Sequence, residues 1–133
     1  MSNPSRRAAI VTGADGGIGS AITTRLEKDG VDVLAVDLAP TNIRDMPSTA
    51  GIPFVADLTT REGNRDAVNA ALEHFGRLDI IVANAGFQHV SPIAEFTEER
   101  WDALIALMLT SPFLLAKYGW SRSSRRLREA DFW

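Results

Sequence analysis

The sequence has no cysteine in its 133 residues. Disulfide scaffolds, thiolate metal sites and cysteine nucleophiles are therefore excluded. Histidine is scarce: His74 and His89 are the only two, too few for a histidine-built metal centre. No unbroken apolar run approaches the roughly 18 residues of a membrane-crossing helix, so no membrane partner is expected. Positive charge is not in excess, with 14 Lys and Arg against 17 Asp and Glu and a formal net charge of -3, so the chain is no electrostatic match for nucleic acid. Met1 to Arg7 is polar and leads into nothing resembling a signal peptide, which makes a cytoplasmic location the expectation. What is present is ordinary for a globular domain: 45% hydrophobic and 23% charged residues.

Along the chain, short apolar runs alternate with helical periodicity. Ala8 to Thr12 reads as a buried strand that ends in glycines. Ile18, Ile22 and Leu26 recur at helical spacing, and Gly30 closes that segment. Val31 to Val36 reads as a second strand stopped by Asp37, and a loop with Pro40, Pro47 and Gly51 follows. Ile52 to Ala56 reads as a third strand. Thr59-Thr60-Arg61-Glu62 fits a capping box, and Val68, Ala71, Leu72 and Phe75 give the next helix an apolar stripe up to Gly76. Leu78 to Ala83 reads as a fourth strand, and Thr97, followed by Glu98 and Glu99, opens a last helix. Strands that are apolar throughout, separated by helices, predict an α/β fold. The expected architecture is a Rossmann-like, doubly wound parallel sheet, its N-terminal part only, with about four strands.

The segment Thr12-Gly13-Ala14-Asp15-Gly16-Gly17-Ile18-Gly19 lies between the first strand and the first helix. Glycines there allow a tight turn and close approach of a pyrophosphate, and the helix start behind them offers free N–H groups and a positive dipole end. A plain turn is the alternative, but the strand before, the helix after and the acidic Asp37 at the end of the second strand favour nucleotide binding. Asp37 can accept hydrogen bonds from a ribose 2′-hydroxyl and repels a 2′-phosphate. No Lys or Arg stands in the turn or directly after Asp37, and Asp15 adds negative charge, so NAD is expected over NADP. A cap or turn role is the ligand-free alternative for Asp37.

The spacing Thr-Gly-xxx-Gly-Ile-Gly resembles the short-chain dehydrogenase/reductase family, and three more motifs extend the likeness over about Arg7 to Tyr118. Asp37 falls where the family's NAD-preferring members hold the adenosine ribose. Asp57-Leu58 follows the third strand, where the family places an adenine contact. Asn84-Ala85-Gly86 matches the Asn-Ala-Gly that borders the cofactor. The cofactor set implied is Gly13, Asp15, Gly17, Ile18, Gly19, Asp37, Asp57, Leu58, Asn84, Ala85 and Gly86. Gly86 to Ile93, continuing into Trp101 to Leu107, resembles D-3-hydroxybutyrate dehydrogenases within the family. That implies oxidation of 3-hydroxybutyrate to acetoacetate, with Gln88 against the substrate carboxylate, although a surface glutamine is the commoner fate of such a residue. His89 reads as a loop or packing residue.

The resemblance also implies a catalytic Ser-Tyr-Lys set, with an Asn on the helix after the fourth strand. No such set occurs within these 133 residues. The Asn position falls at Met108; Tyr118 is followed four residues on by Arg122 rather than Lys, and reads as packing. No residue is therefore assigned as catalytic. The likeness fades after Tyr118. Two segments are expected, an incomplete dinucleotide-binding domain over 1–118 and an Arg- and Ser-rich tail over 119–133, explained by truncation or a shifted reading frame. A phosphate- or RNA-binding arm is the alternative for the tail. Two functions follow: an oxidoreductase acting on a small hydroxy acid or ketone with little or no turnover in this polypeptide, or a non-catalytic nucleotide-binding module that associates with an intact relative. Intact relatives are expected to be homo-oligomers, and the apolar last helix makes this chain prone to associate.

Overall fold

The computed structural model describes residues 6–38 and 51–122. Pro40 and Pro47 and most of the tail lie outside them. In chain order the elements are strand β1 (Ala8–Thr12), helix α1 (Gly17–Lys28), strands β2 (Asp32–Asp37) and β3 (Ile52–Val55), helix α2 (Arg61–Phe75), strand β4 (Ile80–Val82), a 3-10 turn (Ile93–Glu95), helix α3 (Glu98–Ile105), a π turn (Ala106–Thr110) and helix α4 (Ser111–Arg122). The four strands form one sheet in the order β3-β2-β1-β4, and every pairing is parallel. The chain thus moves outward from β1 to β3 and then jumps back to the other side of β1. That reversal opens a crevice at the carboxyl ends of β1 and β4.

Each face of the sheet is covered, as apolar parallel strands require. Ala8, Ile10, Leu34 and Val36 point to the side where Val68, Ala71 and Phe75 of α2 and Leu115 of α4 complete a core. The alternate residues Ala9, Val11, Val33 and Ala35 point to the other side, against Ile22 and Leu26 of α1. Among the described residues β3 is an edge strand, and it is largely exposed where β1 and the middle of β2 are buried. Pro53 is tolerated there because a proline lacks the N–H that a central strand would need.

Several local expectations are corrected. Ile18 does not join the α1 core stripe: it is 71% exposed, and the buried positions are Gly19 and Thr23. The cap of α2 is Thr60, whose hydroxyl accepts the Gly63 N–H, so the expected capping box beginning at Thr59 does not form. β2 begins at Asp32, one residue after Val31, and β4 spans only Ile80–Val82 of the longer run expected. The last helix is not continuous. The Ser111 N–H reaches back to the Ala106 carbonyl, and the next residue, Pro112, has no N–H to restore the α-helical register. Leu114 and Leu115 are buried, whereas Trp101, Leu109 and Phe113 are each more than half exposed. By length and composition alone, Glu98–Ser121 is long and apolar enough to cross a bilayer. A search for an unbroken apolar run passes over it because Thr110, Ser111 and Lys117 interrupt it.

One ion pair fixes the start of the sheet. Asp79 Oδ2 accepts the Ala8 N–H at 2.8 Å and the Arg77 Nε–H at 2.7 Å. Burial pushes its carboxyl pKa up, but the Arg77 and Ala8 hydrogen bonds and the charges of Arg77 and Arg7 outweigh that and hold it below the usual value. A carboxylate with a lowered folded-state pKa stabilises above its unfolded pKa and loses that contribution as pH falls through the folded value. Asp79→Asn is therefore expected to lower stability by about 1 kcal/mol at pH 7. The difference from the parent should close in urea melts once the pH has fallen through that lowered folded-state value; a gap that persists in stronger acid would assign the effect to packing instead.

Candidate functional site

The glycine turn between β1 and α1 is fixed from below. Thr12 Oγ1 accepts the Ala85 N–H at 3.0 Å, and Asn84 Nδ2 donates to the Thr12 and Gly13 carbonyls at 3.2 and 3.3 Å. The loop after β4 is thereby fastened to the loop after β1. Gly13 has φ +61°, and a Cβ there would lie 2.9 Å from the Ala85 Cα, so both its conformation and its neighbour require glycine. At Gly19 a Cβ would run into the Gly13 carbonyl, which places the first turn of α1 directly on the glycine turn.

Gly17 differs. A Cβ there would meet nothing within 4 Å. Gly16 caps α1 without a side-chain hydrogen bond, and no acidic residue stands in the first helical turn. The first-turn N–H groups, which lack partners within a helix, are thus met by no capping side chain. Amides at the positive end of a helix dipole, with open room in front of them, suit a pyrophosphate.

This turn forms one wall of a crevice of about 540 Å³. Ten of the sequence-nominated residues line it: Gly13, Gly17, Ile18, Gly19, Asp37, Asp57, Leu58, Asn84, Ala85 and Gly86. Asp15 and Gln88 are not among the lining residues. Asp15 acts through its main chain instead, donating its N–H to Asp37 Oδ2 at 2.9 Å, while the Leu38 N–H donates to Oδ1 at 2.7 Å. These two amides aim the Asp37 carboxylate and leave further acceptor sites open. Asp37 is therefore both a turn residue and a crevice residue. Gln88 is exposed on the loop beyond Gly86.

Asp57 is held by a local turn. Its Oδ1 accepts both the Thr59 N–H and the Thr59 hydroxyl, at 3.0 and 2.6 Å. Gly63 of α2 faces the Asp57 carbonyl so closely that no Cβ fits between them. Sequence reasoning missed Gly16, Leu38, Ala56, Thr59, Phe87 and Leu107, which also line the crevice. Leu38 and Phe87 could have been found as the direct successors of two nominated motifs. Leu107 could not, because it reaches the crevice through the π turn. Met108 of that turn packs its thioether near Gly86. Among the described residues of the lining, Asp37 and Asp57 are the ionisable ones, and none is Lys, Arg or His. His89 stacks edge-on with Phe96, as a packing residue does, and the Tyr118 ring lies under the Arg65 guanidinium.

A family model described as short chain dehydrogenase matches residues 7–122. The chain belongs to the short-chain dehydrogenase family. It is 40% identical over 121 residues to the uncharacterized oxidoreductase YxjF of Bacillus subtilis, covering 85% of this chain and 46% of the relative. It is 36% identical over 113 residues to a D-beta-hydroxybutyrate dehydrogenase of Cupriavidus necator, covering 80% of this chain and 44% of that one. Among solved structures it superimposes with a TM-score of 0.79 on a blue fluorescent protein from a metagenomic library, in complex with NADPH, at 25% identity over 88% of this chain and 51% of that chain. The chain spans about half the length of the curated relatives it matches. The short-chain dehydrogenase architecture expected from the sequence, a Rossmann-like parallel sheet with flanking helices, is the one observed.

Proposed function

We propose that this chain binds a nicotinamide dinucleotide in the crevice, NAD in preference to NADP, as the cofactor-binding part of an oxidoreductase. The observation that carries the reading is the pairing of α1 amides that no side chain caps with the Asp37 carboxylate at the end of β2. The Gly17–Gly19 backbone would hold the pyrophosphate, Asp37 the adenosine ribose, Asp57 and Leu58 the adenine, and Asn84 to Gly86 the nicotinamide half. When bound, the dinucleotide supplies a hydride acceptor or donor for a secondary alcohol and its ketone. The likeness to the D-beta-hydroxybutyrate dehydrogenase supports 3-hydroxybutyrate and acetoacetate as the pair, with Gln88 as the substrate contact. The protein's own contribution is binding and orientation: Asn84 and Thr12 fasten the glycine turn to the loop after β4, and the Asp37 carboxylate would disfavour an extra phosphate on the ribose.

A second reading, a non-catalytic nucleotide-binding module, is favoured by one observation. Met108, unable to serve in proton transfer, occupies the π turn beside Gly86. Calorimetry with NAD, followed by NADH absorbance with 3-hydroxybutyrate, separates the two. Binding with little turnover is expected of the 133-residue polypeptide, which we also read as cytoplasmic and self-associating through its exposed α3–α4 residues. Absence of NAD binding at millimolar concentration would defeat both readings, and a monomeric sedimentation profile would defeat the association.

A further inference from the structure

The buried pair Asn64 and Ser111 is used by nothing described so far. Asn64 is 1% exposed and Ser111 2% exposed. Asn64 Nδ2 donates to the Leu58 carbonyl at 3.0 Å and to the Thr60 carbonyl at 2.7 Å, and its Oδ1 accepts the Ser111 hydroxyl at 2.6 Å. Two donors and one acceptor are thus matched by two carbonyls and one hydroxyl. Asparagine alone among side chains of this length supplies that set: aspartate lacks the donors and leucine lacks everything. The two carbonyls flank Thr59, which in turn holds Asp57. The hydroxyl belongs to the residue directly after the π turn whose Leu107 lines the crevice.

We propose that Asn64 is a positioning residue that sets the Asp57–Thr59 wall in the shape that receives the adenine, braced by Ser111 from α4. The inference rests on the dinucleotide reading above. Gly63 reinforces it, because its missing Cβ lets α2 close directly onto the Asp57 carbonyl. An amide at position 64 holds the adenine wall without touching the nucleotide. The nicotinamide side is fastened separately, by Asn84 and Thr12, so the two halves respond separately to a change at Asn64.

The test uses the whole 133-residue chain and two probes, AMP for the adenine half and nicotinamide mononucleotide for the other, titrated by NMR. Asn64→Asp keeps the shape and the acceptor for Ser111 but points a carboxylate at two carbonyls. The expected result is about a tenfold weaker AMP affinity, close to 1.4 kcal/mol, with nicotinamide mononucleotide unchanged. If the variant fails to fold, Ser111→Ala takes its place. That variant leaves both Asn64 donors intact, and about a threefold loss for AMP alone is expected. AMP affinity that is unchanged, or a parallel loss for both probes, would overturn the positioning role while the dinucleotide reading stands. A parent chain that binds neither probe would remove the dinucleotide reading and this inference together.

Discussion

Alanine at Gly17 and alanine at Gly19 are expected to fail in opposite ways. At Gly19 a Cβ meets the Gly13 carbonyl and comes within 2.9 Å of the Ala14 Cα, both main-chain atoms that cannot swing aside. The turn would have to open, at about 3 kcal/mol, the upper range for forcing an atom into a packed site. For a domain of this size that lowers the melting temperature by roughly 10 °C. At Gly17 a Cβ meets no protein atom, and alanine is the better helix former by up to about 1 kcal/mol. Gly17→Ala should therefore melt at or above the parent temperature. It should still lose NAD affinity at least tenfold, about 1.4 kcal/mol, because Gly17 lines the crevice and a methyl group there would take space that the proposed pyrophosphate needs. Paired melts and calorimetry read both effects. A Gly17→Ala chain that binds NAD like the parent would mean that the pyrophosphate does not sit there.

The same turn shows what was legible in the sequence. The strand-turn-helix context and Asp37 follow from local pattern, because apolar runs, glycines and an acidic stop act within a few residues of one another. Ile18 misled for a related reason. Its spacing from Ile22 fits a core stripe, but the glycine turn tilts the first residues of α1 toward the crevice, and Ile18 lines it. Thr60 rather than Thr59 became the cap: its hydroxyl accepts the Gly63 N–H while donating to the Asp57 carbonyl, and the Thr59 hydroxyl is turned to the Asp57 carboxylate. The Asn64–Ser111 pair was illegible: its partners lie 47 residues apart, and neither polarity nor periodicity marks them as buried. The π turn was equally hidden. Helical spacing continues on both sides of it, and only the missing N–H of Pro112 hints at the break.

Asp37→Asn is expected to narrow the discrimination between the two dinucleotides by the largest factor of any single change. The substitution keeps the shape of the side chain and removes its charge. One of the two main-chain N–H groups now held by the carboxylate, from Asp15 and Leu38, then faces an amide donor. That costs about 1 kcal/mol of stability, because water can reach the exposed Leu38 side. Binding changes more. A ribose hydroxyl that donates to a carboxylate loses a charge-assisted bond of about 1.5–3 kcal/mol, so NAD affinity should fall roughly ten- to hundredfold. NADP affinity should rise. Two unit charges at about 4 Å repel by roughly 4 kcal/mol at an effective dielectric of 20, and screening at the crevice rim reduces that without abolishing it. The rise should shrink in high salt, as a Coulombic origin demands. Asp57, the other carboxylate of the lining, is untouched in the variant, so NADP is not expected to overtake NAD outright. Calorimetry with both dinucleotides at two salt concentrations reads all three effects. NAD affinity left intact in Asp37→Asn would reduce this carboxylate to a turn residue and remove the basis for the NAD preference.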